Sequence, residues 1–105
     1  MQEDIIRNAG VSVGTSAVQV AAQLMSGQRT ALTFINTSTG GQIITIQWGQ
    51  QGTATGQGIV LYPAGSWSES FDGYFIPSNL DVWAVGSAAS GTLAIQERVT
   101  TRLLK

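Results

Sequence analysis

Serine and threonine are plentiful in this 105-residue chain, yet nothing in it can activate them. There is no His to serve as a base, and the single Lys is the last residue. Acyl transfer needs a nucleophile within hydrogen-bond reach of such a base. A glycosidase needs two carboxylates flanking one bond. The only central acids are Glu69, Asp72 and Asp81, and Asp72-Gly73 already reads as a turn. With neither His nor Cys a zinc site lacks its usual nitrogen and sulfur ligands, and no Asp-x-Asp-x-Asp spacing offers calcium a loop. The glycine-rich run over 49–58 is followed by a strand pattern and contains no Lys, so it lacks the parts of a phosphate-binding loop. Asn36-Thr37-Ser38 matches a glycosylation sequon, but no secretory leader precedes it, and it reads as a turn. The sequence therefore implies no catalytic residue, no metal and no cofactor, and the chain is read as a non-enzyme.

What remains is contact chemistry. Trp48, Tyr62, Trp67, Phe71, Tyr74, Phe75 and Trp83 crowd the second half. One reading is that they fill a thin core. The other is that some form an aromatic contact surface for protein or sugar, because Trp and Tyr are enriched among interface anchors. Trp67, Phe71, Tyr74 and Trp83 are the candidates there. Ile5 and Ile6 are a second candidate contact, an apolar pair among polar residues at the start of the chain.

Charged residues make up 10% of the chain, against about 25% in an ordinary soluble domain. They gather towards the ends, and no basic residue lies between Arg29 and Arg98. A surface so poor in charge is a liability for a lone monomer, and it fits a subunit covered by neighbours. With a net charge of −1 there is no Lys/Arg patch for phosphates, so nucleic acid is not an expected partner. No apolar run reaches the ~20 residues of a membrane-spanning helix, and no membrane partner is expected. The acidic start argues against a leader peptide, and cytoplasmic synthesis is the expectation.

The elements that must carry these residues read as strands. Val18, Val20, Ala22 and Leu24 share one parity, although a helix over 17–25 is the competing reading. Alternating runs follow over 29–36, 42–48, 59–62, 67–71, 80–85 and 92–99. Pro63-Ala64-Gly65 forces a corner, with Gly65 supplying a positive φ. Asp72-Gly73 between alternating runs signals a two-residue hairpin over 67–76, which would set Phe71 opposite Tyr74 and Glu69 opposite Ile76. Seven or eight short strands at this spacing, without helix-length patterns, give a single all-β, antiparallel β-sandwich, jelly-roll-like or immunoglobulin-like. Its expected core is Val18, Val20, Leu32, Phe34, Ile44, Ile46, Leu61, Val82, Leu93 and Ile95. The expected division is an extended N-terminal arm over 1–10, a sandwich over 11–99 and a tail over 100–105.

The order of Arg29-Thr-Ala-Leu-Thr-Phe-Ile-Asn36, the strand Ile44 to Gly49, Leu61-Tyr-Pro-Ala-Gly-Ser66, the strand Leu80 to Val85 and Leu93-Ala-Ile-Gln-Glu97 resembles the small β-sandwich proteins that decorate or cement the heads of tailed bacteriophages. The resemblance spans about 11–97 and rests on strand and turn residues. It implies a virion structural protein on the capsid surface that binds the major capsid protein and itself, as a homotrimer, with an arm linking neighbours and no cofactor. The alternative is a fibre or host-attachment module that binds carbohydrate.

Overall fold

The computed structural model describes residues 4–49 and 56–100. Eight strands follow in order: β1 (Asp4–Val13), β2 (Val18–Ala21), β3 (Gln28–Asn36), β4 (Ile44–Trp48), β5 (Ile59–Leu61), β6 (Ser66–Ser70), β7 (Val82–Gly86) and β8 (Gly91–Thr100). Among the described residues there is no helix. Residues 18–21 pair as a strand with β7, and the helix reading of 17–25 falls away.

The pairing explains the architecture. β1 pairs with β8, β2 with β7, β3 with β6 and β4 with β5, all antiparallel. The chain is thus one long antiparallel ribbon, turned between β4 and β5 and rolled up. Rolling adds the β3–β8 and β4–β7 ladders. Two four-stranded sheets result, in the orders β1-β8-β3-β6 and β2-β7-β4-β5. This is a jelly roll, a form that manages exposed strand edges by wrapping.

From Leu32 on, beyond the register shift after Arg29, the even positions of β3 point inward with the odd positions of β8, and strand alternation buries them together. Leu32, Phe34, Ile44, Ile46, Val82, Ala84 and Leu93 lose all exposure. Of the expected core residues only Val18 is not buried, and it packs half-covered against the cluster. Trp48 meets Phe34 edge to face, with ring centroids 6.1 Å apart, a favoured aromatic geometry.

Three expectations are corrected. The N-terminal arm is not free of the sandwich. From Asp4 onward it forms β1, paired residue for residue with β8 from Asp4↔Thr100 to Val13↔Gly91. Arg7 at an inward position hid the extension of the Val11 and Val13 alternation back through Ala9, because its charge is neutralised by Glu97 only in the fold. The hairpin over 67–76 does not form. β6 ends at Ser70 and its ladder partner is β3. The Asp72 carboxylate accepts the amides of Tyr74 (2.9 Å) and Phe75 (2.7 Å) instead, a local alternative to strand pairing typical of Asp. At the corner, positive φ falls on Ala64 (68°), while Gly65 donates its amide to the Tyr62 carbonyl. The corner carries the chain from one sheet to the other, since β5 and β6 belong to different sheets. The expected loop over 49–58 is described only at Gly49 and from Gly56 on, and the tail only at Thr100. The remainder of both, with 1–3, lies outside the described residues.

Candidate functional site

Two surfaces stand out, and the first is the outer face of the β1-β8-β3-β6 sheet. The ladders align its side chains in rows. Asn8, Gln96, Thr33 and Ser68 form one row, and Gly10, Ala94, Ile35 and Ser66 the next. Hydrogen bonds run along the first row, Gln96 Nε2 donating to Asn8 Oδ1 at 3.0 Å and the Thr33 and Ser68 hydroxyls pairing at 2.9 Å. At the near end Ile6, Arg98, Ala31 and Ser70 make a third row, which contains the single charge of these three rows. Small residues keep the face flat, with a shallow trough of about 520 Å³ above Gly10, Thr33 and Ala94. Such a face presents little charge to hydrate and little relief to obstruct a partner.

The second surface is a groove of about 300 Å³ where the edges β5 and β6 meet, lined by Trp48, Ile59, Trp67, Glu69, Phe75 and Ile76. Trp67 lies opposite Phe34 across the β3–β6 ladder, and Phe34 meets Trp48 edge to face, so the two groove tryptophans flank one buried ring. Burial raises the pKa of the Glu69 carboxyl above its ordinary value, opposed by a hydrogen bond from the Trp67 side chain and by the charge of Arg29.

The far wall of that groove belongs to the irregular segment 71–81, and its anchor is Arg29. The Arg29 guanidinium is fully buried. Its Nε donates to Glu97 Oε2 at 2.7 Å, its Nη1 to the carbonyls of Ser78 and Leu80 at 2.8 Å each, and its Nη2 to the Ala22 carbonyl at 3.0 Å. Glu97 also accepts from Arg7 at 3.0 Å. Asn79 accepts the Arg29 amide and donates to the Gly27 carbonyl. A buried charge is tolerated only when paired and saturated in this way. Asn36 is a second buried hub. Its amide group donates to the carbonyls of Gln42 and Leu61 at 2.8 Å, while its Oδ1 accepts the Ser38 amide. At the end of β3, its side chain is engaged and has no exposed surface.

The six contact candidates do not share one surface. Ile6 lies on the outer face of the first sheet, and Ile5 points to the other side, into a cleft with Leu24 and Val99. Trp67 lines the groove, 38% exposed. Phe71 follows β6, its amide bonded to the Thr30 carbonyl. Tyr74 projects from the Asp72 turn, 95% exposed. Trp83 faces outward from β7, and its indole donates to Asp81. Sequence reasoning missed Trp48, Ile59 and Ile76 as partners of Trp67, since only the rolling of the ribbon joins them. It also missed Arg29 and Glu97. The one available signal was Arg29 opening an otherwise apolar strand. Among the described residues no cluster of three or more metal-binding side chains occurs.

No family model and no curated protein matches the chain. Its structure is similar to a solved protein of the Bacillus endospore appendages, which form a novel family of disulfide-linked pili. The TM-score is 0.69, at 21% identity, over 98% of this chain and 89% of that one. At that identity the likeness is one of fold.

Proposed function

We propose that this chain is a structural subunit that works by assembly, docking on copies of itself and on the surface of a larger particle, as a decoration protein of a phage capsid does. The observation that carries the reading is the outer face of the β1-β8-β3-β6 sheet, whose side chains in three adjacent rows include one charge, Arg98. A flat face of Thr, Ser, Ala, Asn and Gln suits burial against another protein, because hydroxyl and amide groups find new partners there at less desolvation cost than ions. The proposed partners are the major capsid protein and further copies of the chain, the latter as the trimer that the resemblance implies. The proposed location is the capsid surface. The test is co-sedimentation of the purified protein with phage heads that lack a decoration layer. Saturable binding at a fixed copy number per capsid subunit is expected, and Thr33→Glu on the flat face is expected to abolish it. Heads that bring down no protein would refute the capsid role.

A second reading is a fibre or host-attachment module. The groove favours it, since Trp67 and Glu69 together offer an apolar plate and a hydrogen-bond acceptor, the combination that sugars use. The likeness to an appendage subunit points the same way. A disulfide-linked assembly needs Cys, and this chain has none, so disulfides through these residues would not hold a filament together. Quenching of Trp fluorescence by soluble host glycans, without head binding, would favour this second reading.

A further inference from the structure

Four strand edges remain after the ribbon is rolled, those of β1, β6, β2 and β5. Natural sheets blunt such edges by making them short, bulged or charged. β5 has three residues and β2 four, with a register shift between Gln19 and Ala21. β6 has five. β1 has ten, its register with β8 runs without a shift, and it contains neither Pro nor Lys. Its Arg7 points inward and is held by Glu97 and the Val20 carbonyl, so it does not guard the edge. Among the described residues β1 forms a backbone ladder with β8 and with no other strand. Along this ten-residue strand the backbone donors and acceptors of alternate residues turn away from β8, an open edge beside the flat, nearly uncharged face.

We propose that the free edge of β1 pairs antiparallel with β1 of a second copy about a two-fold axis at Asn8, joining two four-stranded sheets into one of eight. The inference rests on the assembly reading above and names its contact. The occupant is a second copy because the edge complements itself in length and charge. With the axis at Asn8, Ile6 of one copy lies opposite Gly10 of the other, where even an added Cβ would meet nothing within 4 Å. Ile5, 54% exposed, lies opposite Val11, and Arg7 opposite Ala9. Large residues meet small ones, the two exposed isoleucines gain cover, and no like charges face each other. An isologous contact of this kind closes on itself, and it is compatible with a trimer formed elsewhere on the subunit, which it would link to the next.

The chain has no Cys, so single-cysteine variants read the contact cleanly. Opposed residues of an antiparallel pair lie about 4.5–5.5 Å apart at Cα, within disulfide range. Asn8→Cys is therefore expected to form a disulfide dimer under mild oxidation about tenfold faster than Thr33→Cys, which shares the face but lies two strands away. Ile6→Cys and Gly10→Cys should each link poorly alone and efficiently when mixed. Each variant's circular dichroism and melting temperature confirm that the fold is intact. Equal, slow linking at positions 6, 8 and 10 would overturn the proposal. Preferential linking of Asn8→Cys to Ser68→Cys would overturn it too, by showing a head-to-tail contact with β6. If the cross-links form as expected but heads bind no protein, the capsid reading fails and the β1 contact stands.

Discussion

Arg29 makes the strongest case that single residues organise this molecule. Its guanidinium donates to Glu97 and to three carbonyls, those of Ser78, Leu80 and Ala22. Arg29→Met would leave one side of the buried Glu97 carboxylate unpaired and take the donor from three partly buried carbonyls. Breaking a buried pair from one side costs about 3–5 kcal/mol, and Arg29→Met is expected to lower the unfolding free energy in urea by about that much. Arg7→Met removes the more exposed partner of the same carboxylate, whose side chain is 40% exposed, and should cost about 1 kcal/mol or less. Glu69 offers a test of opposite sign. Burial raises its folded pKa, so between the ordinary value of 4.5 and the raised one the folded state holds more protons than the unfolded state. Stability contributed through Glu69 therefore falls as pH rises across that window, and the full penalty is present above it. Glu69→Gln is expected to leave stability at pH 7 equal or higher and to flatten its dependence on pH in the acid range, as read by melting temperature from pH 3 to 7.

At the scale of elements the corner between β5 and β6 is held from two sides. Gly65 donates to Tyr62, and Asn36 exchanges backbone hydrogen bonds with both Ala64 and Gly65. Ala64 adopts φ = 68°, a conformation that costs an L-residue roughly 1–2 kcal/mol. Ala64→Gly relieves that strain but loosens the unfolded chain, so a net gain of about 0.5–1 kcal/mol is expected. Gly65→Ala is expected to destabilise, because its Cβ would lie 2.8 Å from the Tyr62 carbonyl oxygen. Thermal melts of the two variants should therefore move in opposite directions. The first strand gives another expectation. Deleting residues 1–8 removes the pairs from Asp4↔Thr100 to Asn8↔Gln96 and the Arg7–Glu97 ion pair. An arm outside the fold could be cut without effect, but this truncation should lower the melting temperature by about 5 °C or more, corresponding to about 1 kcal/mol in a domain of this size. An unchanged melt would mean that β1 adds nothing to the stability of the monomer.

At the scale of the whole molecule, stability and contact are carried by different parts. The core is aliphatic apart from Phe34 and lies between the sheets, whereas the exposed aromatics gather on and beside the segment 71–81, which Arg29 and Asn79 hold to the sandwich. Tyr74 is the clearest case, since only its backbone is engaged, through the Asp72 carboxylate. Tyr74→Ala is expected to change stability by less than about 0.5 kcal/mol, as at other exposed sites. Any effect on head binding or self-association in that variant would then report a contact and not a loss of fold. If Tyr74→Ala unfolds the domain, this separation of roles is wrong.

Much of this protein was legible in the sequence because strand alternation is a local property. Leu32 and Phe34, Ile44 and Ile46, and Leu93 and Ile95 each share a parity, and side chains two apart on a strand must face one way. Burial of those pairs followed, and with it the all-β class. The misreadings have a common cause. Nothing local marked Arg7, Arg29 and Glu97 as a cluster, because they lie on different strands, Arg7 and Glu97 90 positions apart and Arg29 and Glu97 68 positions apart. Asp72-Gly73 met the local rule for a hairpin, but β6 had a better ladder partner in β3, far back in the sequence. Which edges stay open, which face stays flat and which aromatics meet in a groove were settled when β1 returned to β8 and β4 to β7, because each depends on residues that only the rolled ribbon brings side by side.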